Sequence, residues 1–430
     1  MDLRYIRIAF LLAGAWAVGA GVLSAGVSPQ LRYVVIISRH GVRSPLWTVE
    51  RLNQYAAQPW PQWGVPPGGL TPHGRAQMKL LGAYYHEWLA GEHLLSQPGC
   101  EDAGRVYIYA DTDQRTIESA HALAESLLPG CDLTIHSQPD NGKDPLFSGA
   151  GTIDSELALQ AVRERLGPQP EKLIVDHSSA LATLQFILTG GQNVERKLVE
   201  PPAGASQGGK TRALEGPIAA ASTLSEDLLL EYADDMPAKD LGWGRLTKEN
   251  LQSVLELHRV HADLAWRTPY LARAKGSNLL AHVLRSMEEA VSGAPVPGAV
   301  GRPGDFVLIL SGHDTNLAHI SSILGLSWRL PGYQPDDTPP GGALVFTLWR
   351  DSRGGYFVKA QCLAQTLDQM RSGARLTVAA PPASEELTIP SCGDGSTFGC
   401  PWESFRLAVQ KAIDPAFTNL GPEAQSPATQ

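Results

Sequence analysis

Three runs of apolar, mostly β-branched or aromatic residues predict buried strands, and each run ends at a polar cluster. The runs and their adjoining clusters are 33–38 with 39–45, 106–110 with 111–116, and 306–310 with 311–316. Apolar runs of this length, bounded by polar residues, are typical of strands that are covered on both faces. Ligands bind at the carboxyl ends of strands in open α/β sheets. The pattern therefore predicts that the three clusters meet in one crevice.

Between the strands, the spacing of the apolar residues is that of helices. Residues 154–274 form the longest such stretch, and their pattern is mostly helical with a polar loop near residues 201–210. Strands return after it, and the runs 341–346 and 356–359 enclose a glycine-containing polar turn, which predicts a hairpin. We therefore expect an α/β fold. Its discontinuous catalytic domain is formed by 31–153 and 275–415, and the smaller, mostly helical domain is inserted between them.

The first 26 residues have the pattern of an export signal. Arg4 and Arg7 precede an apolar stretch from residue 8 to residue 23, and small residues at 24–26 provide a cleavage zone before Val27. An uncleaved anchor is the alternative, but the apolar stretch is short for a full membrane span. We expect cleavage, no stable membrane association afterwards, and a periplasmic or secreted protein.

The composition is that of a globular protein, since 43% of the 430 residues are hydrophobic and 18% are charged. This length allows two or three domains, and residues 422–430 are expected to form a flexible tail. The net charge of −9 argues against nucleic acid or an anionic membrane surface as the main partner. An anionic small-molecule substrate therefore requires a local basic pocket.

Five cysteines in an exported chain predict disulfides. Cys100 and Cys131 bracket the second strand and its helix, and Cys392 and Cys400 close a short loop. We favour these two pairs, although the spacing leaves other connectivities open. Cys362 lies in an alternating run and is expected to be a buried free thiol. No cysteine and histidine cluster has the spacing of a zinc site, so we expect no structural metal.

The cluster 39–45 carries the most informative chemistry. His40 stands beside Arg39 and close to Arg43, and two fixed cations favour the neutral form of an imidazole. A neutral imidazole beside guanidinium groups suits attack on phosphorus, because the guanidinium groups hold phosphoryl oxygens. A surface turn that binds nothing is the alternative for this motif alone. The two other polar clusters favour a phosphate site.

Residues 204–211 match the nucleotide P-loop pattern in full. That pattern binds phosphate only when a strand precedes it and a helix comes after it. Here two prolines, 201 and 202, precede the match, and Gly216 and Pro217 interrupt the chain on its C-terminal side. We interpret the segment as a flexible loop.

Residues 39–45 and the pair His313 and Asp314 resemble the histidine acid phosphatase family, a branch of the histidine phosphatase superfamily. The family pattern is Arg-His-Gly-x-Arg-x-Pro near the N-terminus and His-Asp near the C-terminus. Further matches resemble the bacterial periplasmic phytases of that family, at 70–72, 115–116, 242–245, 312–316 and 337–342. The likeness runs from about residue 34 to residue 410. It implies a phosphoglycerate mutase-like fold, a mixed central sheet flanked by helices, and we expect a monomer.

The resemblance also implies roles for particular side chains. His40 is the nucleophile and forms a phosphohistidine, and Asp314 protonates the leaving alkoxide and then helps water to attack. Four cationic side chains bind the phosphoryl oxygens and stabilise the transferred group: Arg39, Arg43, Arg115 and His313. These side chains supply the positive charge, so neither a metal nor another cofactor is expected.

Two further assignments keep an alternative beside them. Glu226 matches a carboxylate that faces the substrate in the phytases, and a solvated helix acid is the other interpretation. Arg115 opens a predicted helix, and pairing with Asp111 or Asp113 is the other interpretation of its charge.

One departure from the phytase pattern concerns the substrate. The phytases have Thr-Lys after the proline, where this chain has Leu46 and Trp47. A leucine at this position resembles the pattern of the glucose-1-phosphatases, and Trp47 is placed to stack on a sugar or ring face. Those relatives, however, usually have Asn where this chain has Gly41 and Ser where it has Thr315. The balance favours a phytase-like or broad acid phosphatase.

We therefore predict an exported acid phosphomonoesterase that acts on phytate (myo-inositol hexakisphosphate) through a phosphohistidine. A glucose-1-phosphatase or broad sugar phosphatase is the alternative substrate assignment. A phosphoglycerate mutase-type transferase is disfavoured by the export signal and the paired cysteines. A non-catalytic protein that binds phosphate esters is disfavoured because both His40 and Asp314 are present.

Overall fold

The computed structural model describes residues 28–96, 99–139, 142–195, 198, 217–392 and 398–420. Three predictions lie outside the described residues: the export signal at 1–26, the P-loop match at 204–211 and the tail at 422–430. Within the described part of the chain, no helix is both long and apolar enough to cross a membrane.

A single mixed sheet of eight strands forms the centre of the molecule, which confirms the predicted α/β fold. The strand order is β3-β2-β4-β1-β5-β6-β7, with β8 paired to β6. The strands β1 to β4 run parallel, and β5 to β8 add antiparallel neighbours on one side. The strands are β1 (Gln30–Arg39), β2 (Val106–Ala110), β3 (Ile135–Ser137), β4 (Val307–Gly312), β5 (Ala343–Arg350), β6 (Tyr356–Ala364), β7 (Ala383–Leu387) and β8 (Cys400–Pro401).

Thirteen α-helices among the described residues surround the sheet. They are α1 (Val49–Asn53), α2 (Pro72–Gly91), α3 (Gln114–Leu127), α4 (Pro145–Ser148), α5 (Ser155–Leu166), α6 (Lys172–Asp176), α7 (Ser178–Thr189), α8 (Pro217–Ala233), α9 (Lys248–Ala265), α10 (Pro269–Ser292), α11 (Asp314–Leu324), α12 (Leu367–Ser372) and α13 (Trp402–Ala412).

Helices cover both faces of the sheet, which explains why the central strands are continuous apolar runs. Successive residues of β1 alternate between two apolar clusters: Val34 and Ile36 pack with α2 and α3, whereas Val35 and Ile37 pack with α10, α11 and α13. All four side chains are fully buried. Burying each stabilises the fold by about 1.5–3 kcal/mol relative to leaving it exposed.

The segment between residues 154 and 274 contains no strand among its described residues. Its helices share one continuous apolar cluster with a face of the sheet, so they have no separate core. The predicted boundary between residues 274 and 275 falls inside α10, which begins at Pro269 after Thr268. We therefore place that junction at Thr268, and the division into two domains stays a prediction.

The cysteines pair in the structure as the sequence analysis favours. A disulfide joins Cys100 to Cys131, and another joins Cys392 to Cys400. Cys362 is a buried free thiol in β6. The first bridge therefore closes the segment that contains β2 and α3.

Candidate active site

The three polar clusters meet at the carboxyl ends of β1, β2 and β4. The backbone of each cluster is held by the neighbouring strand: the His40 N–H donates to the Gly312 carbonyl at 2.9 Å, and the Asp111 N–H donates to the Ser311 carbonyl at 2.9 Å. Because these strands are parallel neighbours, residues that are far apart in sequence are brought within hydrogen-bond distance. The predicted crevice is therefore present.

The loop after β1 is pressed against α2. A Cβ atom on Gly41 would lie 2.8 Å from the Gly74 carbonyl oxygen, which is too close for any side chain there. The Gly41 N–H donates to Ser119 Oγ at 2.9 Å, and the Thr71 N–H donates to the Val42 carbonyl at 3.0 Å. The loop is consequently fixed, and so is the histidine that it carries.

His40 is buried and presents one nitrogen with a free lone pair. Its Nδ1 lies 2.8 Å from the Gly41 carbonyl oxygen, which only accepts, so Nδ1 carries the proton and Nε2 does not. Burial lowers the pKa of His40 well below its usual range, and the nearby cations Arg39 and Arg115 lower it further. The ring therefore stays neutral in acid, which a nucleophile requires.

Arg39 and Arg43 are buried beside His40 and share one carboxylate. Arg39 Nη2 and Arg43 Nη2 donate to the two different oxygens of Glu226, the latter at 2.9 Å. Arg39 Nη1 donates to the Thr338 carbonyl at 2.6 Å. Burial by itself would lower the pKa of Arg39, but its ion pairs with Asp314 and Glu226 raise it. Both guanidinium groups are therefore held in a fixed orientation.

Glu226 is buried against these two arginines, so the alternative of a solvated helix acid is wrong, and its contact with substrate stays a prediction. It lies in α8, its side chain is 9% exposed, and both of its oxygens bind guanidinium groups. Burial by itself would raise the pKa of Glu226, but Arg43 and Arg39 lower it by a larger amount. The carboxylate is therefore ionised, and we assign it the positioning of the arginines.

His313 and Arg115 complete the ring of cationic and polar groups. His313 Nε2 lies 2.9 Å from Asp111 Oδ2, and since a carboxylate accepts, Nε2–H is the donor that orients the ring. Arg115 Nη2 donates to Asp113 Oδ2 at 2.7 Å and lies 3.5 Å from His313 Nδ1. Arg115 is thus paired with an aspartate, as one interpretation predicts, and it also lies in the cluster, as the other predicts. The His40 and His313 ring centroids are 5.6 Å apart.

Two guanidinium donors of the cluster lack a hydrogen-bond partner in the part of the chain that the structure describes. Among the residues that the structure describes, neither Arg39 Nε nor Arg115 Nε has a hydrogen-bond partner, although both are buried. A buried donor without a partner costs free energy, about 1–3 kcal/mol. An oxyanion placed between the two arginines would remove that cost.

Asp314 is the first residue of α11 and lies between the cluster and the solvent. Its Oδ2 is 3.1 Å from Arg39 Nη2, and its Oδ1 accepts from the Thr315 N–H at 2.7 Å. The side chain is 14% exposed, so a leaving group or a water molecule has access to it.

The group best suited to a metal by donor type is Asp111, Asp113 and His313, whose ligand atoms lie within 4.8 Å of one another. These donors are already used: His313 Nε2 donates to Asp111, and Arg115 pairs with Asp113. A cation there would stand beside the Arg115 guanidinium, which repels it. These two carboxylates therefore serve to orient His313 and Arg115.

A cavity of about 450 Å³ adjoins His313. Its lining includes two lysines, Lys143 and Lys275, together with Trp266 and Thr315. Burial lowers the pKa of Lys275, and the neighbouring Lys143 lowers it further. Sequence analysis missed both lysines, because neither belongs to a motif and no periodicity distinguishes a pocket lysine from a surface one.

Trp47 is half-buried and its ring has neighbours within the chain, so its predicted stacking on substrate stays a prediction. The ring packs against Tyr55 at a centroid distance of 5.7 Å, and the Arg51 guanidinium carbon lies 3.6 Å from its centroid. Leu46, in contrast, is 52% exposed. A ring face of Trp47 is therefore covered by a cation.

A model of the histidine phosphatase superfamily (branch 2) matches residues 30–163 and 235–361. Phytase AppA of Escherichia coli (strain K12) is 33% identical over 411 residues, which are 90% of this chain and 93% of that protein. The glucose-1-phosphatase of Providencia rettgeri is 27% identical over 396 residues, which are 89% and 92% of the two chains.

A solved structure gives the same picture in three dimensions. The structure of Hafnia alvei phytase in complex with myo-inositol hexakis sulphate is similar with a TM-score of 0.80 at 35% identity, over 91% of this chain and 98% of that chain. The similarity thus includes the helical segment as well as the sheet.

Proposed function

From the premise that the chain belongs to branch 2 of the histidine phosphatase superfamily, we propose that this acid phosphatase hydrolyses phytate through a phosphohistidine on His40. The observation that carries the proposal is the buried neutral imidazole of His40, whose Nδ1 is bound to the Gly41 carbonyl and whose pKa is lowered by burial and by the nearby arginines 39, 115 and 43. Such a group attacks phosphorus without first losing a proton.

In the first step, His40 Nε2 attacks the phosphorus in line with the ester oxygen. The Nε2–P bond forms, the P–O ester bond breaks, and the leaving alkoxide takes a proton from the Asp314 carboxyl group. The phosphoryl oxygens bind in the ring of Arg39, Arg43 and Arg115, and the Arg39 and Arg115 Nε donors have no other partner among the described residues. His313, oriented by Asp111, completes the binding ring.

In the second step, water attacks the phosphohistidine. Asp314, now a carboxylate, takes a proton from that water, the Nε2–P bond breaks, and inorganic phosphate leaves. The same carboxyl group serves both steps because it returns to its protonated form at the end of each cycle. Since protonated Asp314 starts the cycle, activity is expected to be highest in acid.

The proposal of phytate rests on charge beyond the reacting phosphate. The cavity beside His313 is lined by Lys143 and Lys275 and also by Asp111 and Asp113. The two aspartates are already paired with His313 and Arg115, so the lysine ammonium groups are left to attract further phosphates of a polyphosphorylated ester. The Hafnia alvei relative, a phytase, is described in complex with a hexasulphate of the same ring.

A glucose-1-phosphatase is the second candidate, and exposed Leu46 favours it. An apolar side chain at this position suits a substrate with a single phosphate.

We also propose that the protein acts outside the cytoplasm. Two disulfides in one chain are typical of an oxidising compartment, and the expected export signal agrees with them.

The test is phosphate release by the purified protein at about pH 5 from phytate, glucose 1-phosphate and p-nitrophenyl phosphate, with and without EDTA. His40→Ala is the matched variant. Release from phytate that survives EDTA and is lost in His40→Ala supports the proposal. A preference for glucose 1-phosphate supports the second candidate, and release from none of the three substrates contradicts both.

A further inference from the structure

The segment after Pro45 forms one side of the phosphate site. The Gly68 N–H donates to the Pro45 carbonyl at 3.0 Å, which fixes the start of the segment. A Cβ atom built on Gly68 would lie 2.9 Å from Leu46 Cδ2 and 3.5 Å from Arg115 Nη1. Leu46 and Arg115 therefore approach the same side of Gly68, so Leu46 and the segment that it begins lie next to the phosphate cluster.

This segment carries a cation that is held in place by an aromatic ring. The Arg51 guanidinium carbon lies 3.6 Å from the centroid of Trp47, and the Trp47 ring is itself packed against Tyr55. A guanidinium group over an indole is attracted by the negative face of the ring, most strongly where water is excluded. Arg51 is thus a long, exposed side chain with a reduced freedom of movement.

Arg51 also differs from the arginines of the site in its charge balance. Arg39 and Arg43 are paired with Glu226, and Arg115 is paired with Asp113. Within the described part of the chain, no carboxylate lies within ion-pair distance of the Arg51 guanidinium. Its charge is therefore available to a ligand.

We propose that Arg51, held on the ring of Trp47, binds a phosphate of the substrate other than the one that is transferred. Arg51 then acts as a specificity-determining residue that favours polyphosphorylated esters over esters with one phosphate. Trp47 is the residue that positions it. The inference rests on the proposed phosphatase function, and it gives a role to a cation that the transferred phosphate does not need.

The experiment compares Arg51→Ala with wild type on a polyanion and on a monophosphate. Myo-inositol hexasulphate is the polyanion, used as a competitive inhibitor of p-nitrophenyl phosphate hydrolysis, and phytate is the second polyanionic probe. We expect the inhibition constant of the hexasulphate and the KM of phytate to rise about fivefold, which is the size of one exposed charge pair. The kcat/KM for p-nitrophenyl phosphate stays within twofold of wild type.

Three variants isolate the cause. Arg51→Lys keeps the charge and is expected to keep most of the affinity. Trp47→Ala removes the ring on which Arg51 rests. Because Trp47→Ala and Arg51→Ala act on the same contact, the loss of affinity in the double variant is expected to be smaller than the product of the two single losses. Arg353→Ala is the matched control, because Arg353 is 90% exposed in the turn between β5 and β6. That turn lies beside residue 30, at the end of β1 remote from the site.

An unchanged inhibition constant in Arg51→Ala overturns the inference, as does an equal loss with p-nitrophenyl phosphate. A wild-type inhibition constant in Trp47→Ala overturns the role of the ring. If wild type hydrolyses p-nitrophenyl phosphate but not phytate, the phytate proposal fails, and the hexasulphate measurement still decides the role of Arg51. Midpoints of thermal unfolding for all variants show that each is folded.

Discussion

At the scale of single residues, the proposed nucleophile and the proposed acid have different surroundings. His40 is buried among cations, and its lowered pKa keeps Nε2 unprotonated at a pH where an ordinary histidine is charged. Asp314 is partly exposed, so a leaving group or a water molecule can reach its carboxyl group. Two groups with such different surroundings can be nucleophile and acid at the same pH.

Asp314→Asn tests the acid at this scale. The amide cannot protonate an alkoxide, so kcat for phytate is expected to fall roughly a hundredfold or more. The loss with p-nitrophenyl phosphate is expected to be much smaller, because p-nitrophenolate leaves without a proton. Steady-state kinetics on both substrates make the comparison. Equal losses on the two substrates, or wild-type turnover of phytate, would show that Asp314 is not the acid.

Glu226→Gln tests the carboxylate that joins Arg39 and Arg43. Removal of one partner from a buried ion pair leaves uncompensated charge, and it is expected to lower the free energy of unfolding by about 3 kcal/mol at neutral pH. Because the pKa of Glu226 is lowered in the folded protein, its contribution is full above the pKa of an unfolded glutamate. It is lost as the pH falls toward the lower folded value, so the difference between variant and wild type shrinks below about pH 4.

Inorganic phosphate provides the control for this variant. An anion bound between the two arginines replaces part of the lost negative charge, so phosphate is expected to raise the midpoint of thermal unfolding more in Glu226→Gln than in wild type. Glu118→Gln, which removes an exposed carboxylate 3.7 Å from Arg75, is expected to change neither quantity. A phosphate effect equal in both proteins would argue against the positioning role.

At the scale of elements, helix α8 combines a functional face with two buried acids that the site does not use. Asp227 and Glu231 come after Glu226 on this helix, and both are about 1% exposed. Neither oxygen of Asp227 has a hydrogen-bond partner among the described residues, and Glu231 accepts only from the Gly242 N–H. Burial raises the pKa of each to about 8. The helix is therefore built with two neutral carboxyl groups.

Asp227→Asn is expected to stabilise the protein at neutral pH. Since the folded pKa is raised, the folded protein binds more protons than the unfolded chain between about pH 4 and the folded value. The free energy of unfolding of wild type therefore falls as the pH rises through this range, by up to about 1.4 kcal/mol per pH unit. The variant lacks this loss, so its midpoint of thermal unfolding exceeds that of wild type at pH 7 and approaches it at pH 4.

Asp235→Asn is the matched control for this pH series. Its carboxylate is 58% exposed and the backbone there has a φ of 58°, which asparagine adopts readily. The control is expected to behave as wild type does at every pH. Parallel curves for Asp227→Asn and wild type from pH 4 to pH 7 would contradict a neutral buried Asp227.

At the scale of the whole molecule, the sequence predicts those features of the site that depend only on where strands and helices begin and end. Residues 39–45, 111–116 and 311–316 can be placed in one crevice because the carboxyl ends of neighbouring parallel strands meet. Glu226 is identifiable only by resemblance, and its partners are not predictable, because they lie 187 and 183 residues away on another element. The Thr338 carbonyl that holds Arg39 has no side-chain signal in the sequence at all. Polar contacts between residues far apart in sequence are therefore the part of the site that the sequence pattern does not predict.

The two disulfides allow a prediction about the stability of the whole chain. They close segments of 31 and 8 residues, and in the chain-entropy account the longer closed segment restricts the unfolded chain more. Replacing both cysteines by serine is expected to lower the free energy of unfolding by about 3.7 kcal/mol for Cys100 and Cys131, against about 2.5 kcal/mol for Cys392 and Cys400. Urea unfolding midpoints of the two double variants measure the difference. Both double variants are expected to fold, because the large core does not depend on either bridge. A larger loss of stability for the shorter segment would show that native contacts around the bridge, and not chain entropy, decide which bridge stabilises more.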